Sequence, residues 1–173
     1  MPHDPIPAIS LWQPYASLIA AGVKPYETRG FAPPARLLGH RIAIHAAKRV
    51  PVRGELGTDV EAAISAALGR DDWFGRDGLP LGAVVCTAVI FCAIQIYEPL
   101  YERGIARTDR TITQFWDAVH QPPSQIPIDL FGDYSAGRWC WELKDIEVLP
   151  DPIPARGRQM IGWPWSGTRC IAA

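Results

Sequence analysis

The stretch from Gly82 to Tyr97 constrains this chain more than any other. Thr87 and Gln95 are its only polar side chains, and the rest is mainly Val, Ile, Phe, Cys and Ala. β-branched and aromatic residues at this density suit a pleated sheet, and the stretch is longer than an ordinary strand of about five or six residues. It predicts one bent strand, or two strands of a closed barrel, buried on both faces in places. Cys86 and Cys92 lie an even number of positions apart, so on a strand they share a face as small core residues.

The flanking segments read as further strands with a few helices. Ile6 to Trp12 is a short apolar run that predicts an opening strand. A helix follows, with Pro14 at its first position, an apolar stripe of Leu11, Tyr15, Leu18 and Ile19, and Gly22 as a left-handed cap. Lys24 precedes Pro25 and so starts an extended segment, Tyr26 to Arg29. Arg41 to Ala47 alternates Ile42, Ile44 and Ala46 against Ala43, His45 and Ala47, which predicts a half-buried strand. Thr58 with Glu61 forms a capping-box pattern ahead of a helix whose stripe is Val60, Ile64, Ala67 and Leu68 and which Gly69 closes. Ile112, Phe115, Trp116 and Val119, after Thr111, predict a short third helix, and His120 to Gly137 reads as a long ordered loop. Arg138 to Ile146 alternates again, with Trp139, Trp141 and Leu143 on one side and Arg138, Cys140, Glu142 and Lys144 on the other. The expectation is an α+β fold, 1–173 as one domain, with a small barrel flanked by two or three helices.

Composition narrows function. The net charge is −1 over 173 residues, so binding of nucleic acid through bulk positive potential is excluded and any contact must be local. Of the 17 Lys and Arg residues only Lys24, Lys48 and Lys144 are lysines, a bias towards planar forks that suits phosphate or guanine edges but that a GC-rich genome also produces. The cysteines, Cys86, Cys92, Cys140 and Cys170, form no CxxC pair, so neither a zinc site nor a disulfide is expected. The first residues, Met-Pro-His-Asp-Pro, lack the basic and apolar regions of a signal segment, which makes the cytoplasm the expected compartment.

Walker, GxGxxG, GxSxG and HExxH patterns are all missing, which argues against nucleotide triphosphate, dinucleotide and metalloprotease chemistry, and no cofactor is expected. What stands out is a local cluster: Ser10-Leu11-Trp12-Gln13-Pro14, then Gly22-Val23-Lys24-Pro25-Tyr26-Glu27-Thr28-Arg29, then Ile44 to Lys48. The first two stretches resemble the ASCH domain (activating-signal-cointegrator homology), whose signature is an SLWQPW-like strand and helix start followed by a GxKxxExR loop. The likeness extends to Leu81 to Val84, Gly132 to Ser135, Gly137 to Trp139 and Pro152 to Gln159. It implies a PUA-like β-barrel with a cleft beside the GxKxxExR loop, and RNA, a modified nucleoside or nucleotide, or a single-stranded nucleic acid as partner. The family also includes deacylases of acylated cytidine and a ribonuclease, so a hydrolase is the alternative. In the deacylating branch a Thr three residues after the Lys is the nucleophile. Here that position is Glu27, and Thr28 falls one residue late, on the opposite face of an extended segment.

The residues singled out for binding are Trp12, Gln13, Lys24, Glu27, Arg29, His45, Lys48, Ser135 and Arg138, with Lys24 and Glu27 as the catalytic pair of the hydrolase alternative. A carboxylate beside Lys24 keeps it protonated, a donor to phosphate or a base carbonyl, while Glu27 can accept an exocyclic amine such as that of cytosine. On an extended segment Glu27 and Arg29 share a face. Lys24 is expected to reach into the cleft away from the core, so that Lys24→Ala costs within about 0.5 kcal/mol of stability. Trp12 reads first as a packing residue and second as a stacking surface; His45 and Lys48 read as the rim of a strand end. A third class, a protein-interaction adaptor, would use Trp163 and Trp165 as exposed anchors.

Overall fold

A computed structural model describes residues 5–113 and 125–167 of the chain. The described residues form a mixed α/β fold dominated by strands: β1 (Ile6–Leu11), α1 (Tyr15–Ala20), β2 (Tyr26–Arg29), β3 (Arg41–Ala46), α2 (Thr58–Leu68), β4 (Ala83–Leu100), β5 (Ile105–Thr113), β6 (Gln125–Pro127), β7 (Trp139–Pro154) and β8 (Trp163–Trp165). The strands hydrogen-bond in the order β2-β7-β4-β3-β1-β8, with β5 on β4 and β6 on β5, a path that does not close on itself. The chain groups into two compact units, one of Met1–Val23, Arg41–Ala88 and Asp145–Ala173, the other of Lys24–His40 and Val89–Lys144. Each of the long strands β4 and β7 contributes to both.

In the first unit β1 runs parallel to β3, with Ala8 opposite Ala43 and Leu11 opposite Ala46, and antiparallel to β8, with Ile6 opposite Trp165 and Ala8 opposite Trp163. One face carries Ile9, Leu11, Ile42, Ile44 and Ala46, all buried. On the other face the large indoles of Trp163 and Trp165 pack with the small side chains of Ala8, Ala43, Val84 and Ala155, a pairing of large with small that fills space closely. β3 is therefore buried on both faces, where alternation predicted one. It is an inner strand between β1 and β4, and its second face is covered rather than solvated. Trp163 and Trp165 are core residues too, which removes them as exposed adaptor anchors.

The helices of this unit end as predicted but do not start so. Gly22 has φ 74° and closes α1, its N–H reaching Ile19 O and that of Val23 reaching Leu18 O; Gly69, at φ 65°, closes α2. The capping box is not formed, because Thr58 is already helical and Gly57 occupies the cap position. Glu61 instead turns back, its Oε1 accepting from Gly54 N at 2.7 Å and Leu56 N at 3.4 Å.

In the second unit β2 pairs with β7 and β4 pairs with β5, both antiparallel. β4 is one strand, with register shifts against β5 between Gln95 and Ile96 and between Ile96 and Glu98, the irregularities that let a long strand bend. Thr111 and Ile112, the start of the expected third helix, lie in β5 opposite Ile94 and Ala93; the apolar edge of β4 recruits them as a strand despite their helical spacing. Positions 114–119 lie outside the described residues. The expected loop contains the short strand β6. Tyr26, Cys92, Ile94, Ile96, Ala106, Ile126, Tyr134 and Cys140 form a core cluster. Trp139, Trp141 and Leu143 are buried as their alternation predicts.

Candidate functional site

The residues singled out by sequence fall into two groups, one in each unit. The first is built on β2. Its register sets Glu27 opposite Trp141 and Arg29 opposite Trp139, with Tyr26 opposite Glu142 and Thr28 opposite Cys140. The pleat thus puts Glu27 and Arg29 on one face and Tyr26 and Thr28 on the other. Arg29 Nε lies 2.8 Å from Glu27 Oε1, a close ion pair in which the Nε–H is not aligned for a hydrogen bond. Thr28 Oγ1 accepts from Asp133 N at 3.1 Å, so this hydroxyl is engaged on the face away from Glu27.

Lys24 does not reach away from the core. It is 2 % exposed, and its Nζ donates to Tyr26 O at 2.6 Å, so the expectation of a free side chain and a cheap Lys24→Ala is overturned. The backbone next to Lys24 is paired to β7, Pro25 O accepting from Leu143 N at 2.9 Å, and the ammonium turns onto β2 at Tyr26 O. Glu27 is 6 % exposed. Burial pushes its carboxyl above the ordinary range, opposed by Arg29 first, then Lys24, and more weakly by Arg138. A buried carboxyl among three cations is costly unless each charge is compensated, and such groups cluster at functional sites.

Ser135 and Arg138 serve the turn before β7. The Ser135 hydroxyl donates to Asp133 Oδ1 at 2.5 Å. Arg138 Nε donates to Asp133 O at 3.1 Å and its Nη2 to Thr28 O at 3.4 Å. Asp133 is held below its usual carboxylate range by Ser135, with Arg138 adding. Arg138 thus ties the turn to β2 and adds positive potential at Glu27, whereas Ser135 bonds within the turn.

The second group lies at the C-terminal ends of the parallel strands β1 and β3. Trp12 is 55 % exposed, with the Arg49 guanidinium 4.1 Å from its ring centroid, which corrects the reading of it as a packing residue. The backbone ends β1 one residue before Trp12, so its side chain is outside the core. Gln13 is buried and fully used: Nε2 donates to Ser17 Oγ at 2.9 Å and Pro80 O at 2.8 Å, and Oε1 accepts from Ser17 N at 3.1 Å. It caps α1 from the side and is no ligand contact in this arrangement. His45 is 2 % exposed, not a rim residue; Lys48 is exposed, as expected, and its chain runs beside Gly82.

Three residues of the second group were not among those singled out for binding. Arg49 follows Lys48 on the same exposed turn and covers Trp12. Ser10 lies opposite His45 in the register of β1 and β3, and Gly157 passes over both. The signal for Ser10 and His45 was present: Ser10 is the polar position of the apolar β1, and His45 is the polar position of β3 after Arg41 at its start. No family model matches the chain, and no curated protein matches it.

Proposed function

We propose that the chain is an ASCH-type, PUA-like module that binds RNA or a nucleotide in the cytoplasm, with the group on β2 as its base-reading centre. The observation that carries this reading is the Glu27–Arg29 pair at 2.8 Å, its carboxyl buried and its guanidinium a quarter exposed. Without a ligand-directed role such a pair is a weak source of stability, since desolvation offsets much of its attraction. Glu27 supplies an acceptor for an exocyclic amine, and Arg29 supplies donors in a planar fork, the two functions that distinguish one base edge from another. Binding is favoured over hydrolysis on β2 because Thr28, the hydroxyl next in sequence to Glu27, faces the other way and is engaged by Asp133.

Equilibrium binding of a nucleoside panel and a short single-stranded RNA, to wild type and to Glu27→Gln and Arg29→Gln, tests the reading. The expected result is binding with a preferred base, lost in Arg29→Gln and changed in base preference in Glu27→Gln. Equal binding by all three proteins, with melting temperatures unchanged, sinks it.

A further inference from the structure

Ser10 and His45 face each other across paired strands. His45 Nδ1 lies 3.0 Å from Ser10 Oγ, and His45 Nε2 lies 3.2 Å from Ala155 O. A carbonyl only accepts, so the neutral ring places its proton on Nε2, which leaves the Nδ1 lone pair for the Ser10 hydroxyl. That is the order of a nucleophile, a base and an acceptor orienting the base. The imidazole is held firmly: Trp163 packs edge-on with ring centroids 5.6 Å apart. Burial, with Lys48 adding, holds its pKa below the ordinary 6.5, against the Ala155 carbonyl, which raises it. Ser10 is only half-buried, and its one hydroxyl proton has two acceptors in reach, Nδ1 at 3.0 Å and Arg158 O, the longer, at 3.2 Å.

The loop above is shaped to this pair. A Cβ on residue 157 would fall 2.2 Å from His45 Cε1, 2.6 Å from its Nδ1 and 3.0 Å from Ser10 Oγ, so only glycine lets the backbone pass there. Gly157 is flanked by the exposed Arg156 and Arg158, and Lys48 is exposed after β3, next to Arg49, whose guanidinium is ion-paired with Glu55.

We propose that Ser10 is a nucleophile and His45 its general base in an acyl-transfer site, and that the substrate is a carboxylic ester bearing a negative charge. The Ser10 oxygen bonds to the acyl carbon as its proton passes to His45 Nδ1. The ester C–O bond breaks, and that proton goes to the departing alkoxide. Water then attacks the acyl-serine, giving its proton to Nδ1 and from there to Ser10, and the free acid leaves. Arg156, Arg158 and Lys48 supply the attraction for the anionic substrate. None of these residues belongs to the base-reading group on β2, so either reading can fail alone.

The test begins with wild-type protein and a fluorophosphonate, the adduct being located by peptide mass spectrometry. The expected adduct is on Ser10, its rate rising with pH through one ionisation below 6.5. Hydrolysis of p-nitrophenyl hemisuccinate should exceed that of p-nitrophenyl acetate by about tenfold, through electrostatic focusing. Ser10→Ala and His45→Gln should lose both labelling and turnover. No adduct on Ser10, or one whose rate is flat with pH, overturns the proposal and leaves the pair as a clamp for the Arg156–Arg158 loop. Equal rates on the two esters overturn the anionic substrate. Should His45→Gln fail to fold, the wild-type adduct and its pH profile still decide.

Discussion

Arg29 and Glu27 stand two residues apart on one face of β2, with Nε 2.8 Å from Oε1. The carboxyl is the more buried partner, and burial outweighs the pull of Arg29 and Lys24 in setting its ionisation. The folded protein therefore holds the Glu27 proton more tightly than the unfolded chain, whose value is near the ordinary 4.5. With more protons bound in the native state, stability falls as pH rises through the folded value, and the contribution is fully present only below the unfolded one. Glu27→Gln, which resembles the protonated form, should remove this slope. Melting curves of both proteins from about pH 4 upward should show wild type losing ground to the variant as pH rises. A constant difference across that range refutes the assignment.

Lys24→Ala is expected to cost about 3 kcal/mol of stability, because it removes a compensating cation from a buried carboxyl and leaves a void. Lys24→Met, which keeps most of the volume, should cost less. Urea unfolding of the two variants measures this. A loss below about 0.5 kcal/mol for Lys24→Ala would put the side chain at the surface.

Gly157→Ala tests a purely steric demand. The added carbon would overlap the His45 ring, and crowding of a packed site typically costs about 1–3 kcal/mol. Gly30, where a Cβ meets nothing within 4 Å, is the control, and Gly30→Ala should be near neutral. The His45 ring protons should shift in the NMR spectrum of the first variant and not of the second; an unmoved ring in Gly157→Ala contradicts the close approach.

Much of this fold was legible because local and global signals agree in it. Arg41 to Ala46 and Trp139 to Leu143 alternate, Tyr26 to Arg29 follows a Lys-Pro step, and pairing keeps all three as strands; Gly22 and Gly69 sit where a left-handed residue is needed and end their helices. Thr111 and Ile112 were misread because strand pairing with β4 is a contact between distant segments, invisible to a helical period. Burial of the site residues was equally hidden. Lys24, Glu27 and His45 are charged or polar by type, and only the tertiary structure encloses them, while Trp12, apolar by type, is left outside by the point at which β1 ends.

The thiols give a chemical readout of the core. Cys86, Cys92 and Cys140 are free and buried. Burial raises all three, Cys86 and Cys140 to about 12, and Cys92 further, aided by the Glu142 carboxylate that accepts from it at 3.1 Å. The thiolate is the reactive form, so at pH 8 these residues should resist iodoacetamide in the native protein and react once it is unfolded. Peptide mass spectrometry locates the label; rapid native labelling at Cys86, Cys92 or Cys140 would show that the sheet does not enclose it.

Trp12 and Arg49 separate stacking from charge in RNA binding. Trp12 remains more than half exposed although one face carries the Arg49 guanidinium, so a base can meet the remaining surface. Base stacking on an aromatic contributes about 1–3 kcal/mol, and Trp12→Ala should weaken binding of a short single-stranded RNA by roughly 5- to 150-fold. Stacking releases no counterions, so the salt dependence should stay as in wild type. Arg49→Gln should instead lower the slope of log affinity against log salt by about one while weakening binding alike for every sequence. The wild-type slope should itself be shallow, since the net charge is −1 and few phosphates can be neutralised. Titrations of the three proteins at two salt concentrations decide. A Trp12→Ala variant that binds like wild type, or one whose only change is in the salt slope, means that no base stacks on this ring.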